Sequence, residues 1–387
     1  MKINRKTLFA LLLCALLLIF AAGLAIYEIT RPIPPAMAEP AEEEELEDPA
    51  VTIELTAVGD NLMHMPLINS GQREGFGKFY EKIAPHLEGM DLCIVNQETV
   101  FVPSNFSGYP TFGGPTDIGD ALVDAGFNVI QQASNHSYDK GESGLRYTMD
   151  YWHTKPVMLL GVNSAPEDAL RVDKFTKDGF TVALMNYTYG LNGFSLPKDK
   201  DYLVNLLNED DRAAIADKIA LAKAESDLVI VLPHWGTEYS TTPDKYQQDW
   251  LKFFNENGVD VVIGAHPHVL QPCETYVGEN GYKTVVFYSL GNFISNQEGI
   301  EKELGGMARV TLIKDKLGAR VEGYSLLPCF THVSDGIYTV YDLNDYTDEL
   351  ARRHSKYGSL TVQKIWDKFH EITDAEEGAS APSSFII

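Results

Sequence analysis

From residue 51 onward, short apolar runs alternate with segments in which apolar residues have helical spacing. The apolar runs are Ile53–Val58, Leu92–Val95, Asn128–Gln132, Val182–Tyr187, Leu228–Leu232, Val259–Ile263 and Thr284–Tyr288. The helix candidates between them are Gly119–Ala125, Gly144–His153, Glu209–Ala224 and Lys245–Asn257. Strands that alternate with helices build α/β domains, in which helices cover the faces of a central sheet. The pattern therefore predicts an α/β fold.

The composition excludes two classes of protein. The 387 residues include 55 acidic and 31 basic side chains, which gives a formal net charge of −24. Such a surface repels phosphate backbones, so we expect no binding of nucleic acid. The four cysteines contain no C-x-x-C pair, and their positions allow at most one disulfide, between Cys273 and Cys329. A disulfide scaffold and a zinc ribbon are therefore excluded.

The N-terminus contains a candidate membrane span. Three basic residues within 1–7 precede the uncharged run Leu8–Tyr27, which is long enough to cross a hydrocarbon core of about 30 Å as a helix. The basic flank favours a cytoplasmic N-terminus and hence an extracytoplasmic main domain. We predict a transmembrane signal-anchor at 8–27, and a signal peptide cleaved after Ala38 is the alternative.

The rest of the chain divides into three predicted parts. Residues 28–50 are rich in proline and glutamate, a composition typical of a solvated linker with nothing to bury. We expect one domain at 51–340 and a C-terminal extension at 341–387. Within this extension, the apolar residues of 361–372 have helical spacing, which predicts an amphipathic helix before a frayed tail.

Polar residues of metal-binding types follow five of the predicted strands. They are Asp60, then Asn96 and Glu98, then Asn135 and His136, then His234 and Glu238, and last His266 and His268. In an open α/β sheet, ligands bind just beyond the carboxyl ends of the strands. Most of these residues, taken singly, also fit a turn, a helix cap or a buried histidine. Their concentration at strand ends predicts one metal site.

The types of ligand restrict the metal. Imidazole, amide and carboxylate groups without thiolate suit manganese, iron or zinc, whereas the histidines disfavour calcium and magnesium. One or two divalent ions fit the set, and two ions require a carboxylate that bridges them. Such a site activates water at neutral pH and polarises a phosphoryl or carbonyl oxygen. A histidine that is not a ligand could then protonate the leaving group.

Several short motifs occur in the order and spacing of a known family. They are Ala57–Asp60, Val95–Glu98, Asp124–Val129 with Asn135–Asp139, His234–Glu238, Gly264–His268 and Tyr288–Phe293. They resemble the CapA family of poly-gamma-glutamate capsule-synthesis proteins, whose domain is similar to calcineurin-like metallophosphoesterases. The resemblance runs from about residue 52 to residue 330. It implies a four-layer α/β/β/α sandwich of the metallophosphoesterase type, preceded by one transmembrane helix.

The resemblance also implies roles for single residues. The metal ligands would be Asp60 and His268 for one ion, and Asn135, His234 and His266 for the other. His136 would be the catalytic histidine, which is not a ligand but contacts the substrate and donates a proton.

The sequence departs from the phosphoesterase pattern at two places. Leu62 stands where a histidine is common, with His64 two residues later, and Asn96-x-Glu98 stands near the place of the bridging aspartate. We predict that Glu98 is a ligand, which would bridge the ions if two bind; the alternative is that Asn96 and Glu98 face the substrate. The substrate-binding candidates are Asn96, Glu238 and Asn292.

Two functions fit these features. The first is a membrane-anchored, extracytoplasmic, metal-dependent hydrolase or transferase in the biosynthesis of capsule poly-gamma-glutamate or another envelope polymer. The second is a non-catalytic component of a capsule export and assembly complex, whose metal site is structural or binds the polymer. The expected partners are the cell membrane, which the chain would cross once, the polymer, and the membrane subunits of a polyglutamate synthase.

Overall fold

The computed structural model describes residues 4–30 and 50–373, and the chain forms two compact units, Met1–Asp48 and Pro49–Ile387. Most of the predicted linker at 28–50 lies outside the described residues. The same holds for the possible cleavage site and for the predicted frayed tail.

The helices and strands that were expected from the apolar pattern are present, with ends that differ by a few residues. The helices are α1 (Arg5–Thr30), α2 (Met65–Glu74), α3 (Ala84–Leu87), α4 (Asp117–Ala125), α5 (Gly141–Trp152), α6 (Pro166–Leu170), α7 (Arg212–Glu225), α8 (Lys245–Glu256), α9 (Ile300–Glu303), α10 (Asp348–Arg353) and α11 (Val362–Thr373). The strands are β1 (Val51–Asn61), β2 (Leu92–Gln97), β3 (Val129–Gln131), β4 (Met158–Leu160), β5 (Asp173–Lys177), β6 (Phe180–Thr188), β7 (Leu228–His234), β8 (Val261–Ile263), β9 (Cys273–Val277), β10 (Lys283–Phe287), β11 (Asn292–Ile294), β12 (Leu304–Asp315), β13 (Gly318–Ser334) and β14 (Ile337–Asp342).

Helix α1 has the properties of a membrane span. It is long and apolar enough to cross a bilayer, and none of its residues is buried in the protein. A signal sequence near the N-terminus meets the same criteria of length and composition. The helix therefore agrees with the predicted span as far as length and apolar character go.

Two mixed sheets form the centre of the second unit. The first has the order β14-β13-β12-β1-β2-β3-β4, with β11 paired to β1, and the second has the order β5-β6-β7-β8-β10-β9. Strands β1 to β4 run parallel, and so do β6, β7, β8 and β10. Parallel neighbours bring their carboxyl ends to the same edge of a sheet, where ligand sites of α/β proteins form.

The buried apolar side chains define four layers. On β2, Leu92 and Ile94 pack between the two sheets, whereas Cys93 and Val95 pack against the helices α2, α3 and α4. This alternation is the expected result of side chains that point to opposite faces of a strand. The outer face of the second sheet packs against α7 and α8. The predicted four-layer α/β/β/α sandwich is confirmed.

The apolar pattern does not predict the antiparallel strands β12 to β14. Strand β12 pairs with β1 over the register from Val51–Lys314 to Val58–Met307. Buried positions of β12 and β13 are interspersed with partly exposed ones. These strands therefore lack the continuous apolar run that marks a strand covered on both faces.

The disulfide that the cysteine positions allowed does not form. Cys273 and Cys329 are both free. Cys273 lies on β9, at the edge of the second sheet, whereas Cys329 lies on β13 in the first sheet. The two cysteines therefore belong to different layers of the sandwich.

The pairing of β1 with β11 requires a glycine at the end of β1. The Gly291 carbonyl oxygen accepts a hydrogen bond of 2.9 Å from the Asp60 N–H. The same oxygen lies 1.8 Å from the position that a Cβ atom on Gly59 would occupy. Only a residue without a side chain allows this approach. The contact therefore fixes the position of Asp60.

Replacement of Gly59 by alanine should lower the free energy of unfolding by about 3 kcal/mol, because the added methyl group overlaps the Gly291 carbonyl. Urea denaturation followed by circular dichroism measures this change. Gly323→Ala is the matched control: it adds a methyl group to a strand glycine with nothing within 4 Å, and it should change stability by less than about 1 kcal/mol. Equal stability of the two variants would contradict this view of the strand pairing.

Candidate metal centre

The ends of two neighbouring parallel strands bring three polar residues together. Asp60 on β1 lies opposite Asn96 on β2 in the parallel register. The Asn96 amide Nδ2 donates a hydrogen bond of 2.7 Å to Asp60 Oδ1. Glu98 follows the end of β2, and all three side chains are buried. The first sheet therefore contributes two carboxylates and an amide to one buried place.

The second sheet supplies histidines to the same place. His234 is the last residue of β7, and His266 and His268 lie in the loop after β8. The backbone N–H of Trp235 donates a hydrogen bond of 3.0 Å to the Ala265 carbonyl oxygen, which ties this loop to the end of β7. The ring centroid of His266 lies 4.8 Å from that of His234 and 5.7 Å from that of His268. The three imidazoles therefore form one cluster.

The Glu98 carboxylate lies at the centre of this cluster. Its Oε1 atom is 3.5 Å from His234 Nε2. The Nε2 atoms of His136 and His268 lie 3.9 and 4.0 Å from the same oxygen. Charge-assisted hydrogen bonds are shorter, at about 2.7–2.9 Å, and neither Glu98 oxygen has a hydrogen-bond partner among the described residues. A buried carboxylate that accepts no hydrogen bond costs on the order of several kcal/mol, so Glu98 favours a cation at this place.

The ligand atoms around Glu98 form two groups that share this residue. One group is Glu98, His234 and His266, and the other is Asp60, Glu98 and His268; within each group the ligand atoms lie within 4.8 Å of one another. Atoms that bind one ion at about 2.0–2.2 Å lie roughly 3–4 Å apart. The residues present therefore fit a divalent metal, and the shared Glu98 fits two ions.

His266 has the protonation state that a metal ligand needs. Its ring is buried, and its Nδ1 atom has no hydrogen-bond partner among the described residues. Burial, together with the nearby His234 and His268, lowers the pKa of His266 well below its usual value. A neutral imidazole has a lone pair for a metal. His266 and His268 also have backbone φ angles of +100° and +60°, which are uncommon for such residues and cluster at functional sites.

His268 has the opposite electrostatic balance in the absence of metal. Burial acts to lower its pKa, but Glu98 and Asp60 outweigh burial and raise the pKa to about 9. The distance from His268 Nδ1 to Asp60 Oδ2 is 3.0 Å. Burial alone would raise the pKa of Glu98, but His268, His234 and His136 hold it below its usual range. A metal that binds here must displace the proton of His268.

The stability of the metal-free protein should fall as the pH rises through about 9. The pKa of His268 is about 9 in the folded protein and near 6.5 in the unfolded chain. Its charged form therefore contributes stability that is complete below about 6.5 and is lost as the pH rises through 9. Urea denaturation in chelator, below, between and above these two values, measures the effect. His268→Gln should flatten the profile, whereas the exposed control His153→Gln should not. An unchanged profile in His268→Gln would contradict the assignment.

His136 is oriented by two polar side chains and one ring. Its Nδ1 atom lies 2.7 Å from Asp139 Oδ2 and 2.9 Å from Asn192 Nδ2. The His136 ring packs edge-on against Phe112, with centroids 4.7 Å apart. The Asp139 carboxylate favours a proton on Nδ1. The other nitrogen, Nε2, is therefore the one on the side of Glu98.

Asn192 and Tyr189 belong to the site but carry no signal in the sequence. Asn192 Oδ1 accepts a hydrogen bond of 2.9 Å from Asn135 Nδ2, and the Asn192 side chain also contacts the His136 ring. The ring centroids of Tyr189 and His266 lie 4.6 Å apart. Both residues lie in or next to a glycine-containing turn after β6, and only an unusual φ of +49° at Asn192 distinguishes it. Such a turn is as typical of a surface loop as of a site.

The predicted substrate-binding residues differ in their surroundings. Asn96 is buried, and its Oδ1 atom has no hydrogen-bond partner among the described residues. Asn292 is also buried, and its Nδ2 donates a hydrogen bond of 3.1 Å to the His268 carbonyl oxygen. Glu238 is exposed, and a carboxylate oxygen lies within 4.8 Å of ligand atoms of His266 and His268. Glu238 is therefore at the mouth of the site, and the two asparagines lie inside it.

The position where phosphoesterases commonly have a histidine is apolar here. Leu62 is buried, and its carbonyl oxygen lies 3.3 Å from His64 Nδ1. Burial, which is the largest effect, lowers the pKa of His64 to about 4. The ring of Phe112 separates His64 from His136, with a centroid distance of 5.1 Å to His64. His64 therefore borders the cluster and belongs to neither of the two groups around Glu98.

Sequence comparison identifies a family and two similar proteins. The family described as "Bacterial capsule synthesis protein PGA_cap" matches residues 54–297, more than half of the chain. The PGA biosynthesis protein CapA of Bacillus subtilis (strain 168) is 32% identical over 186 residues, which are 46% of this chain and 44% of that protein. The capsule biosynthesis protein CapA of Bacillus anthracis is 26% identical over 253 residues, which are 63% of this chain and 60% of that protein. The chain thus matches about half the length of these relatives.

Solved structures with a similar course of the chain include two bacterial proteins. The NAD nucleotidase of Haemophilus influenzae is 15% identical, with a TM-score of 0.46 over 84% of this chain and 68% of that chain. The calcineurin-like phosphoesterase YfkN of Bacillus subtilis is 14% identical, with a TM-score of 0.44 over 84% of this chain and 98% of that chain.

Proposed function

Because the chain belongs to the PGA_cap family of bacterial capsule synthesis proteins, we propose that it is a metal-dependent hydrolase or transferase in the biosynthesis of a capsule or envelope polymer. Its substrate would be the polymer or a phosphorylated precursor of it. The name of the Bacillus subtilis relative assigns that protein to PGA biosynthesis, and the proposal extends this assignment to the present chain. The partners would be the polymer and the membrane subunits of its synthase.

The single observation that carries the proposal is the Glu98 carboxylate. It is fully buried, it has no hydrogen-bond partner among the described residues, and three histidine nitrogens surround it at 3.5 to 4.0 Å. A bound cation would compensate its charge. The proposed ligands are Asp60, Glu98 and His268 for one ion, and Glu98, Asn135, His234 and His266 for the other.

The chemistry divides between the ions and the protein. Manganese, iron or zinc, when bound, supplies an activated water and an electrophile for a phosphoryl or carbonyl oxygen. When protonated on both nitrogens, His136 would donate its Nε2 proton to the leaving group and keep the Nδ1 proton, which Asp139 Oδ2 accepts at 2.7 Å. Glu238 at the mouth would contact the substrate, as would the Asn96 Oδ1 atom, which has no hydrogen-bond partner among the described residues. Asn292, the third predicted substrate contact, lies behind His268.

Helix α1 would hold the domain at the outer face of the cell membrane. The basic residues in 1–7 favour a cytoplasmic N-terminus. Residues 28–50 would then be a linker, 51–340 the catalytic domain and 341–387 its C-terminal extension. This arrangement would place the metal centre on the side where capsule polymer is assembled.

Protease added to intact spheroplasts should therefore digest the domain and leave a membrane-embedded N-terminal fragment. Immunoblotting for tags at both ends of the chain measures this, with a cytoplasmic protein as the control for intact cells. Digestion only after lysis would contradict the extracytoplasmic location. Release of the whole domain into the medium would instead support cleavage after Ala38.

The purified full-length chain should contain about one or two equivalents of manganese, iron or zinc. Elemental analysis should show that the double variant His234→Ala, His266→Ala loses the ion that these two residues would bind, because both belong to one ligand group. His136→Ala should keep the metal but lose turnover of a phosphodiester or polyglutamate substrate by about 100-fold or more. The exposed His153→Ala is the matched control and should behave as the wild type.

Two results would contradict the proposal in different ways. A well-folded wild-type protein without metal, even after reconstitution with each ion, would show that the site is not a metal centre. A metal-loaded protein without turnover that copurifies in stoichiometric amounts with synthase subunits would identify a non-catalytic assembly component.

A further inference from the structure

A short segment after β11 borders the candidate metal centre. We name residues Ser295–Glu303 the wall segment. The Asn296 N–H donates a hydrogen bond of 3.4 Å to His64 Nδ1 on one side of the site. On the other side, Gln297 Nε2 donates a hydrogen bond of 3.3 Å to the Tyr239 hydroxyl oxygen. The ring centroids of Tyr239 and His268 lie 6.1 Å apart, so the wall segment lies between two rings that border the site.

Asn292 joins the wall segment to a proposed metal ligand. Its Oδ1 atom lies 3.1 Å from His268 Nδ1, and its Nδ2 donates to the His268 carbonyl oxygen at 3.1 Å. The same Nδ2 lies 2.9 Å from Gln297 Oε1 and 2.8 Å from the Lys302 carbonyl oxygen. The buried amide of Asn292 therefore contacts His268 on one side and the wall segment on the other.

Lys356, from the C-terminal extension, holds the wall segment from behind. Its Nζ atom lies 2.9 Å from Glu303 Oε1, in an ion pair whose side chains are 14% and 0% exposed. The same Nζ atom donates hydrogen bonds to the carbonyl oxygens of Gln297, at 3.2 Å, and Asn296, at 3.5 Å. One ammonium group thus ties both ends of the wall segment together.

The segment that carries Lys356 is itself attached to the first sheet. The Tyr357 hydroxyl accepts a hydrogen bond of 3.2 Å from the Gly299 N–H in the wall segment. The Ser355 N–H donates a hydrogen bond of 2.7 Å to the Val333 carbonyl oxygen on β13. The wall segment is therefore connected through residues 355–357 to the first sheet of the sandwich.

We propose that Lys356 positions His268 for metal binding, through the wall segment and Asn292. Lys356 and Glu303 lie beyond the region that the family matches, residues 54–297. The C-terminal extension of this chain would therefore complete a metal centre whose ligands all lie within the matched region. This inference rests on the metal centre proposed above.

Two physical arguments favour positioning over a purely structural role. Asn292, through which Lys356 would act, contacts the ligand histidine from behind, and loss of such a contact typically lowers metal affinity about 10–100-fold. A buried ion pair, in contrast, often adds nothing to stability compared with apolar residues of the same size. Lys356 donates a hydrogen bond to the carbonyl oxygen of Gln297, and the side chain of the same Gln297 contacts Asn292.

The test measures the metal affinity of the full-length protein by titration with Mn²⁺ or Zn²⁺ against a chelator of known affinity. Lys356→Met should lower the affinity for the ion on the side of His268 about tenfold and leave the affinity for the other ion unchanged. Lys356→Arg keeps the charge and should restore most of the affinity. Lys364→Met, on the exposed face of α11, is the matched control and should match the wild type.

A second variant separates positioning from folding. The double variant Glu303→Gln, Lys356→Met leaves no unpaired buried charge, so it should regain thermal stability. Its affinity for the ion on the side of His268 should stay low. Wild-type affinity in Lys356→Met would overturn the inference, and so would recovery of affinity together with stability in the double variant. Absence of metal from the wild type would instead overturn the proposed function on which the inference rests.

Discussion

The Glu98 carboxylate is the group on which the organisation of this domain depends. It is removed from water, and no hydrogen bond within the described residues compensates its charge. Imidazoles of His234 and His268, which approach Glu98 from the other sheet, lower the free-energy cost of this buried charge. Those imidazoles reach it because parallel strands in both sheets end at the same place. The close contact of Gly59 with Gly291 then fixes the neighbouring carboxylate of Asp60.

The charge of the chain fits this centre. A net charge of −24 attracts divalent cations and repels anionic polymers. At the mouth of the site, Glu238 adds a further carboxylate within reach of His266 and His268. At this mouth, the favourable charge for an anionic polymer would come from the bound ions. On this view the proposed ions would both activate the substrate and attract it.

Much of the fold and part of the site could be predicted from the sequence. Apolar runs followed by Asp, Asn, Glu or His predicted strands with polar carboxyl ends, and the structure brings Asp60, Glu98, His234, His266 and His268 into one cluster. Their roles as ligands stay predictions. The antiparallel strands β12 to β14 were not predicted, because partly exposed strands show no continuous apolar run.

The parts of the site that sequence does not reveal are those that loops contribute. Asn192 lies in an ordinary turn, and Lys356 is one of many lysines in the chain. Only tertiary contacts show the role of each residue. Asn192 contacts Asn135 and His136, and Lys356 contacts the wall segment. Local sequence patterns report the period of strands and helices, and they do not report which distant loop closes over a strand end.

The central claim is that the Glu98 carboxylate is compensated by bound metal. Anomalous diffraction from crystals of the protein grown with Mn²⁺ or Zn²⁺ tests it most directly, because the signal locates the ion without reference to activity. The account predicts anomalous density at about 2.0–2.2 Å from a Glu98 oxygen, on the side of His234, on the side of His268, or on both sides. Density confined to surface carboxylates, with Glu98 hydrogen-bonded inside the protein, would contradict the account.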